Sequence, residues 1–432
     1  MMKVLIVNTS ERAGGAAIAA SRLMQALKQE GVEVSMLTRR NNFQFSIFNF
    51  QFSIKPLAFY WERLRIFAAN GFSKERLWYV DIACSAPFEG TLGLSKNCGE
   101  DITRTHEFQE ADIIHLHYIN QGFLSLKVLD KILRSGKRVV WTMHDMWPFT
   151  GICHHADACE RYQTHCHDCP LLVRPSAKDL SYKVFEKKQH VWQHGDITFV
   201  GCSKWIAELA SKSRLTKGHR VVNIPNVVPH STFHPMSKTE ARTLFGLPAD
   251  KKLLLFSCQK VSDERKGMSY MLEALQLLKD ENIALVVAGS EANITTNLPI
   301  HAVGYIADEE RMAALYAAVD VFVTPSLQEN LPNTIAEAMS CGTPCVGFHI
   351  GGIPEMIHHK VDGYVARYRD ANDLAEGIRH VLSHPELGEA AARYAHDTYN
   401  AHRIAQLYIE EYKAPLPAPP VGRRAAEAAE SL

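Results

Sequence analysis

The sequence has 432 residues, and its 47 lysines and arginines balance its 47 aspartates and glutamates, so its formal net charge is zero. This balance gives no electrostatic reason to expect a nucleic acid partner. Apolar residues make up 46% of the chain, which is ordinary for a globular protein, and no apolar run reaches the roughly 18 residues of a membrane-spanning helix. The length predicts two globular domains, each able to bury its own core.

The N-terminus and the cysteines indicate the compartment. Met1 to Thr9 leads directly into a short strand, without the apolar stretch and cleavage site of a secretory signal. We therefore expect a cytoplasmic protein whose ten cysteines stay reduced. Six cysteines are scattered, and we expect them to be small buried residues: Cys84, Cys98, Cys202, Cys258, Cys341 and Cys345.

The first domain begins as an alternation of strands and helices. Lys3 to Val7 predicts a strand, followed by a loop with Gly14 and Gly15, a helix to about Gln29, and a second strand from Val32 to Thr38. Glycine has no Cβ, so this loop lets the backbone approach a phosphate or a sugar closely. The pair alone does not specify such a ligand, because the lysine of a phosphate-binding loop and the glycine pattern of a dinucleotide site are both missing.

A repeated pentapeptide and an aromatic, basic stretch follow. FQFSI occurs at Phe43 to Ile47 and again at Phe50 to Ile54, and its alternation of apolar and polar residues predicts a strand, a hairpin or an aggregation-prone insertion. Ala58 to Leu77 mixes aromatic residues with arginines and lysines, so it could lie on an anionic membrane surface or contact a lipid-linked molecule. The alternative is a helix packed on the core of its own domain.

Three histidines occur where two predicted strands end. Ala111 to His117 and Arg138 to Met143 predict strands, and His144 follows the second directly. Side chains at the carboxyl end of a parallel strand reach the ligand-binding edge of an α/β sheet. His144 is therefore a candidate functional residue, with His115 and His117 as further candidates. The alternative is that each histidine is a hydrogen-bonded structural residue.

Four further cysteines have the spacing C-x5-C-x6-C-x2-C, and they are Cys153, Cys159, Cys166 and Cys169. The C-x2-C pair is a turn that suits a thiolate-bound zinc ion, and the other two thiolates would complete a tetrahedron. A nearby histidine could replace one of them: His154, His155, His165 or His167. Four protein ligands leave no position for water, so we expect a structural zinc site, and the alternative is four free thiols.

A proline-containing linker separates the two predicted domains. Ser203, a residue type that often caps helices, is predicted to start the helix that precedes this linker, and Ile224 to Pro229 shows no apolar periodicity. Beyond the linker, Lys252 to Cys258 predicts a buried strand, with Lys260 and Lys266 in the following loop. Two cations at the carboxyl end of a strand suit a diphosphate. The alternative is a solvated, charged turn.

One stretch combines a strand, a loop and a helix. Val319 to Thr324 predicts the strand, Pro325 to Pro332 is rich in turn residues, and Asn333 to Cys341 predicts the helix. The N–H groups at the helix N-terminus suit a diphosphate. Glu329 in the loop and Glu337 in the helix could accept hydrogen bonds from the hydroxyls of a sugar and a ribose. The alternative is that Glu337 is a favourable first-turn charge and Glu329 a solvated loop residue.

Several motifs surround these glutamates in a specific order. They are Ser326-x-x-Glu329, Glu337-Ala338-Met339, Gly342-Thr343-Pro344, Gly351-Gly352-Ile353-Pro354-Glu355 and Asp362-Gly363. In this order they closely resemble the donor-binding region of family 4 glycosyltransferases, which are retaining enzymes with an E-x7-E signature. The resemblance covers Lys3 to about Tyr412 and implies an α/β fold of the GT-B class, with two doubly wound Rossmann-like domains facing across a cleft.

The resemblance also implies roles for individual residues. Glu329 would position the sugar and stabilise positive charge on its ring, Glu337 would bind the ribose, and His144 would support the transfer centre. Lys266 and Lys260 would hold the diphosphate. Lys260 stands where the family has an arginine, which keeps the charge but loses bidentate geometry. The other donor-binding residues are predicted to be Gly14, Gly15, Arg265, Tyr305, Ile306, Asn330, Leu331, Pro332 and Asn333.

These features predict a retaining glycosyltransferase of the hexosyltransferase type. It would move a sugar from a nucleotide-diphosphate sugar to a lipid-linked or saccharide acceptor in cell-surface polysaccharide biosynthesis, in contact with the cytoplasmic face of the inner membrane. The sequence contains no Asp-x-Asp metal site in the expected place, so no catalytic metal is expected. The alternatives are a nucleotide-sugar epimerase or phosphorylase on the same fold, or a non-catalytic nucleotide-sugar-binding protein.

Four segments are predicted along the chain. Residues 1–228 would form the N-terminal, acceptor-side domain with the cysteine cluster, and residues 229–395 the C-terminal domain that binds the nucleotide sugar. Ala390 to Tyr412 predicts a helix, of which residues 396–413 would cross back to the first domain. Residues 414–432 are rich in proline and alanine and are predicted to be a disordered tail.

Overall fold

The structure of the chain is a computed structural model. It describes residues 2–39, 100–120, 123–278, 282–290, 294, 296 and 298–415, and the backbone of residues 44–47 and 50–53. Three of the sequence predictions therefore lie outside the described residues: those for residues 58–77, for Cys84 and Cys98, and for residues 416–432.

The chain divides into two units. The first unit contains the residues up to Cys202, Ile206–Ile224 and the residues from Ala405 onward, and the second contains Ser203–Trp205 and Pro225–Ile404. The division after Ile224 falls at the predicted linker, a few residues before the boundary placed at residue 228.

The first unit contains a parallel sheet. The strands before the linker are β1 (Lys3–Asn8), β2 (Glu33–Thr38), β3 (Gln44–Ile47), β4 (Phe50–Ser53), β5 (Ile113–Leu116), β6 (Arg138–Met143), β7 (Ile197–Gly201) and β8 (Arg220–Asn223). The helices are α1 (Gly15–Gln29), α2 (His106–Glu110), α3 (Leu126–Arg134), α4 (Leu180–Trp192) and α5 (Lys204–Lys212). Six strands form a sheet in the order β2-β1-β5-β6-β7-β8, with every neighbouring pair parallel. The strands predicted from the sequence in this region are confirmed to within two residues.

The FQFSI repeat forms a hairpin, which is one of the predicted alternatives. β3 and β4 pair in antiparallel register, with Phe45 opposite Phe52, and make a two-stranded sheet of their own. Because the repeated segment pairs with itself, the two copies supply each other's backbone hydrogen-bond partners.

The second unit contains another parallel sheet. Its strands are β9 (Lys252–Lys260), β10 (Ile283–Ser290), β11 (Ile300–Gly304), β12 (Val321–Thr324), β13 (Cys345–Phe348) and β14 (Gly363–Ala366), in the order β11-β10-β9-β12-β13-β14. The helices after the linker are α6 (Lys238–Phe245), α7 (Met268–Leu277), α8 (Glu309–Ala318), α9 (Asn333–Ser340), α10 (Ile353–Met356), α11 (Ala371–Ser383), α12 (Leu387–Thr398) and α13 (Ala401–Lys413).

Both faces of this second sheet are buried. Leu253 and Leu255 of β9 belong to one apolar cluster, whereas Leu254 and Phe256 belong to another. Successive residues of a strand point to opposite faces, so an unbroken apolar run is the pattern of a parallel strand covered on both sides. The sheet is therefore that of a doubly wound α/β domain.

The stretch from Ala390 to Tyr412 is helical as predicted, but it is broken into two helices, α12 and α13. The side-chain oxygen of Asn400 accepts a hydrogen bond from the backbone N–H of Arg403, 3.1 Å away. Asparagine is a preferred N-cap, so it starts a new helix here instead of continuing the old one. The residues of α13 from Ala405 onward belong to the first unit.

A buried arginine ties α6 to the chain around it. The guanidinium of Arg242 donates to Asp320 at 2.8 Å and to four backbone carbonyl groups, those of Pro248, Ala249, Lys251 and Ala318. Lys238 donates to the same carboxylate of Asp320 at 2.9 Å, but its side chain is half exposed.

We predict that Arg242→Met destabilises the second unit much more than Lys238→Met. The first change removes the charged donor to four carbonyl oxygens and one of the donors to Asp320, and it costs about 3–5 kcal/mol, which lowers the melting temperature by roughly 10 °C. The second removes an exposed partner and costs less than about 1 kcal/mol. Scanning calorimetry of both variants measures the difference, and equal shifts would contradict the assignment of Arg242.

Candidate active site

Three loops of the second unit meet at the carboxyl edge of its sheet. They follow β9, β12 and β13, which are neighbours in the sheet. The backbone N–H of Leu327 donates to the carbonyl of Arg265 at 2.7 Å, and that of Gly352 donates to the carbonyl of Asn330 at 2.8 Å. The loops are therefore joined through their main chains, at the edge where open α/β sheets bind ligands.

Two glycines make this contact sterically possible. A Cβ on Gly267 would lie 1.8 Å from the carbonyl oxygen of Pro325, and a Cβ on Gly351 would lie 1.8 Å from that of Glu329. Both glycines also have positive φ angles, 73° and 57°, which other residues rarely adopt. Any side chain at these positions would force the loops apart.

Lys266 and Glu329 form an ion pair between two of these loops. The ammonium group contacts Oε1 of Glu329, and the side chains of Lys266 and Glu329 are only 34% and 13% exposed. Burial works against the charge on Lys266, but the carboxylate of Glu329 outweighs it, so the pKa of Lys266 is raised. The structure thus brings together Lys266, which was predicted to bind the diphosphate, and Glu329, which was predicted to bind the sugar. The alternative that Glu329 is a solvated loop residue is wrong.

The other two predicted cations are placed differently. The guanidinium of Arg265 forms a bidentate ion pair with Asp263 in its own loop. Nε donates to Oδ1 at 2.9 Å and Nη2 donates to Oδ2 at 2.7 Å. Lys260 is the last residue of β9 and is exposed. Of the three basic residues, Lys266 is therefore the one that the fold holds against Glu329.

Glu337 lies inside α9, away from its first turn. It is buried, and its Oε2 accepts a hydrogen bond from the hydroxyl of Tyr316 on α8 at 3.0 Å. Burial and the neighbouring carboxylate raise the pKa of Tyr316 well above its usual value, so the phenol stays protonated and donates. The alternative reading of Glu337 as a first-turn surface charge is wrong.

The residues between the two glutamates are held by other parts of the second unit. Asn330 is buried and accepts a hydrogen bond from the hydroxyl of Ser203 at 2.5 Å, and Asn333 accepts one from Asn226 at 2.9 Å. Pro332 is the N-cap of α9 and carries no side-chain cap, and Leu331 packs on the apolar cluster beneath. These bonds fix the course of the loop.

Ser203 directly precedes α5, and its hydroxyl donates a hydrogen bond to Asn330. The first N–H groups of α5 are bound by a glutamate from the GGIPE motif. The carboxylate of Glu355 accepts hydrogen bonds from the backbone of Lys204 at 2.7 Å and of Trp205 at 3.1 Å. A carboxylate suits this position because the helix N-terminus carries positive partial charge.

Two of the predicted donor-binding residues, Tyr305 and Ile306, lie at the end of β11. Tyr305 follows that strand and is 61% exposed, which is unusual for a tyrosine, whereas Ile306 is half buried against the core. An exposed aromatic ring offers a flat apolar face for stacking.

The first unit presents its own candidate residues at the carboxyl edge of its sheet. Gly14 has a φ of 92° and is the N-cap of α1, which starts at Gly15 without a side-chain cap. Both glycines are exposed, and no atom lies within 4 Å of a Cβ built on Gly14. The main chain can therefore be approached closely at this turn.

His144 follows β6, as the sequence predicts, and contacts another histidine. Its Nε2 lies 3.0 Å from Nδ1 of His117, which follows β5. Burial lowers the pKa of His144 to about 4 and that of His115 to about 3, so both rings are neutral near neutral pH. His115 bonds to Tyr412 and Thr142 within the core of the unit.

The four clustered cysteines are free thiols in the first unit. Burial raises the pKa of Cys166 to about 12 and that of Cys169 to about 11. The backbone N–H of Gly151 donates to the sulfur of Cys166 at 3.3 Å. Among the residues that the structure describes, no group of three or more histidine, cysteine or acidic side chains is arranged to hold a metal ion. The zinc site stays a prediction from spacing.

The fold agrees with the comparisons with known families. The family described as "Glycosyltransferase Family 4" matches residues 13–232, and the one described as "Glycosyl transferases group 1" matches residues 251–384. The chain belongs to the family 4 glycosyltransferases and has the GT-B fold of two Rossmann-like domains.

Curated relatives are identical to this chain at about a quarter of the aligned positions. D-inositol 3-phosphate glycosyltransferase of Mycolicibacterium smegmatis is 25% identical over 74% of this chain and 72% of its own length. The putative colanic acid biosynthesis glycosyl transferase WcaC of Escherichia coli is 22% identical over 70% of this chain and 76% of its own length.

Solved structures share the fold at lower identity. Sucrose-phosphate synthase from Thermosynechococcus elongatus has a TM-score of 0.65 and 20% identity and covers 96% of this chain and 100% of its own. Anabaena HepE in complex with UDP and glucose has a TM-score of 0.56 and 15% identity, and it also covers 96% of this chain and 100% of its own.

The described part of the present chain contains no helix with the length and apolar character to cross a membrane.

We predict that Gly267→Ala abolishes most of the activity. The added methyl group would collide with the carbonyl of Pro325 and displace Lys266 from Glu329, so turnover should fall about 100-fold or more. Gly246→Ala is the matched control, because Gly246 also has a positive φ, 60°, but no atom lies within 4 Å of its added Cβ. Steady-state kinetics of both variants test this prediction. Equal losses of turnover would contradict it, because they would show that backbone strain, and not the collision with Pro325, causes the loss.

We also predict about one zinc ion per chain, bound by the four clustered cysteines. Cysteine thiols lose their protons to solvent when their sulfurs bind zinc, so zinc binding would oppose the raised pKa values of the buried thiols. Elemental analysis of protein purified without chelators gives the zinc content, and a Cys166→Ser and Cys169→Ser double variant should lose the metal. Much less than one ion per wild-type chain would contradict this prediction.

Proposed function

We propose that the chain transfers a sugar from a nucleotide-diphosphate sugar to a lipid-linked or saccharide acceptor, with retention at the anomeric carbon. The observation that carries the proposal is the ion pair of Lys266 and Glu329 at the carboxyl edge of the second sheet. One chain supplies a cation for the diphosphate and a carboxylate for the sugar within direct contact of each other.

Donor binding would exchange the partners of this pair. The diphosphate attracts the ammonium of Lys266 and the uncapped N-terminus of α9, which begins after Pro332. Once Lys266 turns to the phosphate, the carboxylate of Glu329 is released to accept hydrogen bonds from sugar hydroxyls. Both groups stay charged throughout, so the exchange requires no proton transfer.

The transfer step would use the same two groups. As the bond between the anomeric carbon and the diphosphate oxygen breaks, negative charge grows on the diphosphate and positive charge on the sugar ring. Lys266 stabilises the first charge and Glu329 the second, and both lie in a partly buried site where such interactions are stronger than in water. The acceptor hydroxyl then forms the new bond to the anomeric carbon, and its proton passes to the diphosphate oxygen that leaves.

Two further residues would orient the donor. Glu337, which already accepts a hydrogen bond from Tyr316, would share its carboxylate with a ribose hydroxyl. The exposed ring of Tyr305 offers a face to the base. Anabaena HepE, which shares the fold, was solved in complex with UDP and glucose, and this supports a UDP-sugar as the first donor to test.

The acceptor is proposed from the relatives and from the sequence. The E. coli relative is described as a colanic acid biosynthesis enzyme, which supports a role in building a cell-surface polysaccharide. A lipid-linked acceptor would bring the protein to the cytoplasmic face of the inner membrane as a peripheral protein. The aromatic and basic residues 58–77 support this placement by their composition.

We predict that one UDP-, GDP- or ADP-sugar raises the melting temperature and releases nucleotide when a saccharide or lipid-linked acceptor is added. Glu329→Gln should reduce turnover about 100-fold or more, because it removes the charge that faces the sugar ring. Glu273→Gln, an exposed glutamate on α7, is the matched control and should behave like the wild type. NMR of the product should show retained anomeric configuration.

Two outcomes would contradict the proposal. Absence of thermal protection by every donor would remove the assignment of this site. Protection and turnover that Glu329→Gln leaves unchanged would show that another residue faces the transferred sugar.

A further inference from the structure

His117 and His144 share one hydrogen bond in the first unit. The nitrogens Nδ1 of His117 and Nε2 of His144 are 3.0 Å apart. The ring centroids are 5.2 Å apart and the ring planes differ by 25°. Since the two nitrogens are much closer than the two ring centres, the rings meet through their edges, which is the geometry of an N–H···N bond.

Only one of the two rings can donate in this bond. Burial lowers the pKa of both histidines, so each ring is neutral near neutral pH. A neutral imidazole carries a single N–H and a single accepting nitrogen. Either His117 donates from Nδ1 and His144 accepts at Nε2, or the reverse holds.

The surroundings of His117 favour the first arrangement. Its other nitrogen, Nε2, is buried and has no hydrogen-bond partner among the described residues. In the first arrangement, Nε2 of His117 is an accepting nitrogen without a donor. In the second, Nε2 carries the proton and is a buried N–H without an acceptor. Unpaired buried N–H groups are rarer in proteins than unpaired acceptors, so the proton belongs on Nδ1 of His117.

The neighbouring histidine does not change this conclusion. The His115 ring lies beside His117, with centroids 4.4 Å apart. Its Nδ1 is bonded to the hydroxyl of Tyr412 at 2.6 Å and its Nε2 to that of Thr142 at 2.8 Å. Both nitrogens of His115 are therefore engaged and cannot serve Nε2 of His117.

His117 is itself held from both neighbouring strands. Its backbone N–H donates to the carbonyl of Val7 on β1 at 3.0 Å, and its carbonyl accepts from the indole of Trp141 on β6 at 3.0 Å. The residue is only 3% exposed. A ring anchored in this way can fix the orientation and the tautomer of its partner.

We infer that His117 is a positioning residue that holds His144 in its Nδ1–H tautomer, so that His144 donates a hydrogen bond to a substrate oxygen and does not act as a base. Nε2 of His144 is occupied by His117, and Nδ1 makes no hydrogen bond within the part of the chain that the structure describes. That this oxygen belongs to a glycosyltransferase substrate rests on the proposed function, whereas the tautomer does not.

This assignment restricts the chemistry. A neutral N–H suits an oxygen on which negative charge develops. Because burial lowers the pKa of His144 to about 4, its imidazole ring stays neutral near neutral pH. His144 has no free lone pair for the proton of an acceptor hydroxyl, because Nδ1 carries hydrogen and Nε2 accepts from His117. That proton must leave to another group.

The first test reads the tautomer directly. Protein labelled with 15N-histidine is studied by long-range proton–nitrogen correlation NMR at neutral pH, and the signals of His144 are assigned through their loss in His144→Gln. We expect the proton of His144 on Nδ1. A proton on Nε2 would overturn the inference, and this measurement needs neither substrate nor activity.

The second test changes the partner. His117→Phe keeps an aromatic ring but removes the donor, so His144 should become a mixture of tautomers and kcat should fall roughly tenfold, as for one lost hydrogen bond. His117→Asn offers an amide N–H near the former Nδ1 and should restore both. His115→Phe is the matched control, because His115 is a buried histidine two residues before His117 and has no bond to His144, so the tautomer of His144 should stay unchanged.

The outcomes separate this inference from the proposed function. If the wild type shows the Nδ1–H tautomer and only His117→Phe disturbs it, the positioning role holds even when no donor sugar reacts. If His117→Phe and His115→Phe disturb His144 equally, or neither does, the role assigned to His117 is wrong whatever the activity.

Discussion

Main-chain contact at two glycines is the constraint on which the candidate active site of the second unit depends. Gly267 and Gly351 allow carbonyl oxygens of the loop after β12 to occupy the space where a β-carbon would be. Because these contacts involve backbone atoms, they fix the separation of Lys266 and Glu329 more rigidly than side-chain packing could. The ion pair is thus a consequence of how closely three loops approach.

Three groups that we propose to take part in the reaction each have a partner within their own unit. Lys266 is paired with Glu329, Glu337 with Tyr316, and His144 with His117. A ligand that uses these groups must replace or share existing interactions, and its affinity is the difference between the new contacts and the old ones. The same partners keep charged and polar groups from being buried alone before the ligand arrives.

Local patterns in the sequence predicted the secondary-structure elements. Contacts between residues that are far apart in the chain could not be predicted from such patterns. The apolar runs and the E-x7-E motif indicated the strands, the family and the placement of Glu329, because they depend on neighbouring residues. Nothing local indicated that Tyr316 would bond to Glu337, or that Glu355 would cap a helix more than a hundred positions away. The break before α13 depended on a single asparagine, Asn400, which a window of helical periodicity averages out. The cysteine spacing predicted a ligand set but not how the thiols are arranged.

The last helix has a consequence for the order of events on the ribosome. Tyr412 supplies the partner of buried His115, and the chain around Glu411 binds Arg138 and Arg220, all in the first unit. The second unit is complete once Ile404 has emerged, but the first still lacks these partners. Although synthesis usually lets N-terminal domains finish first, here the unit made first must wait for the end of α13 to close its polar core.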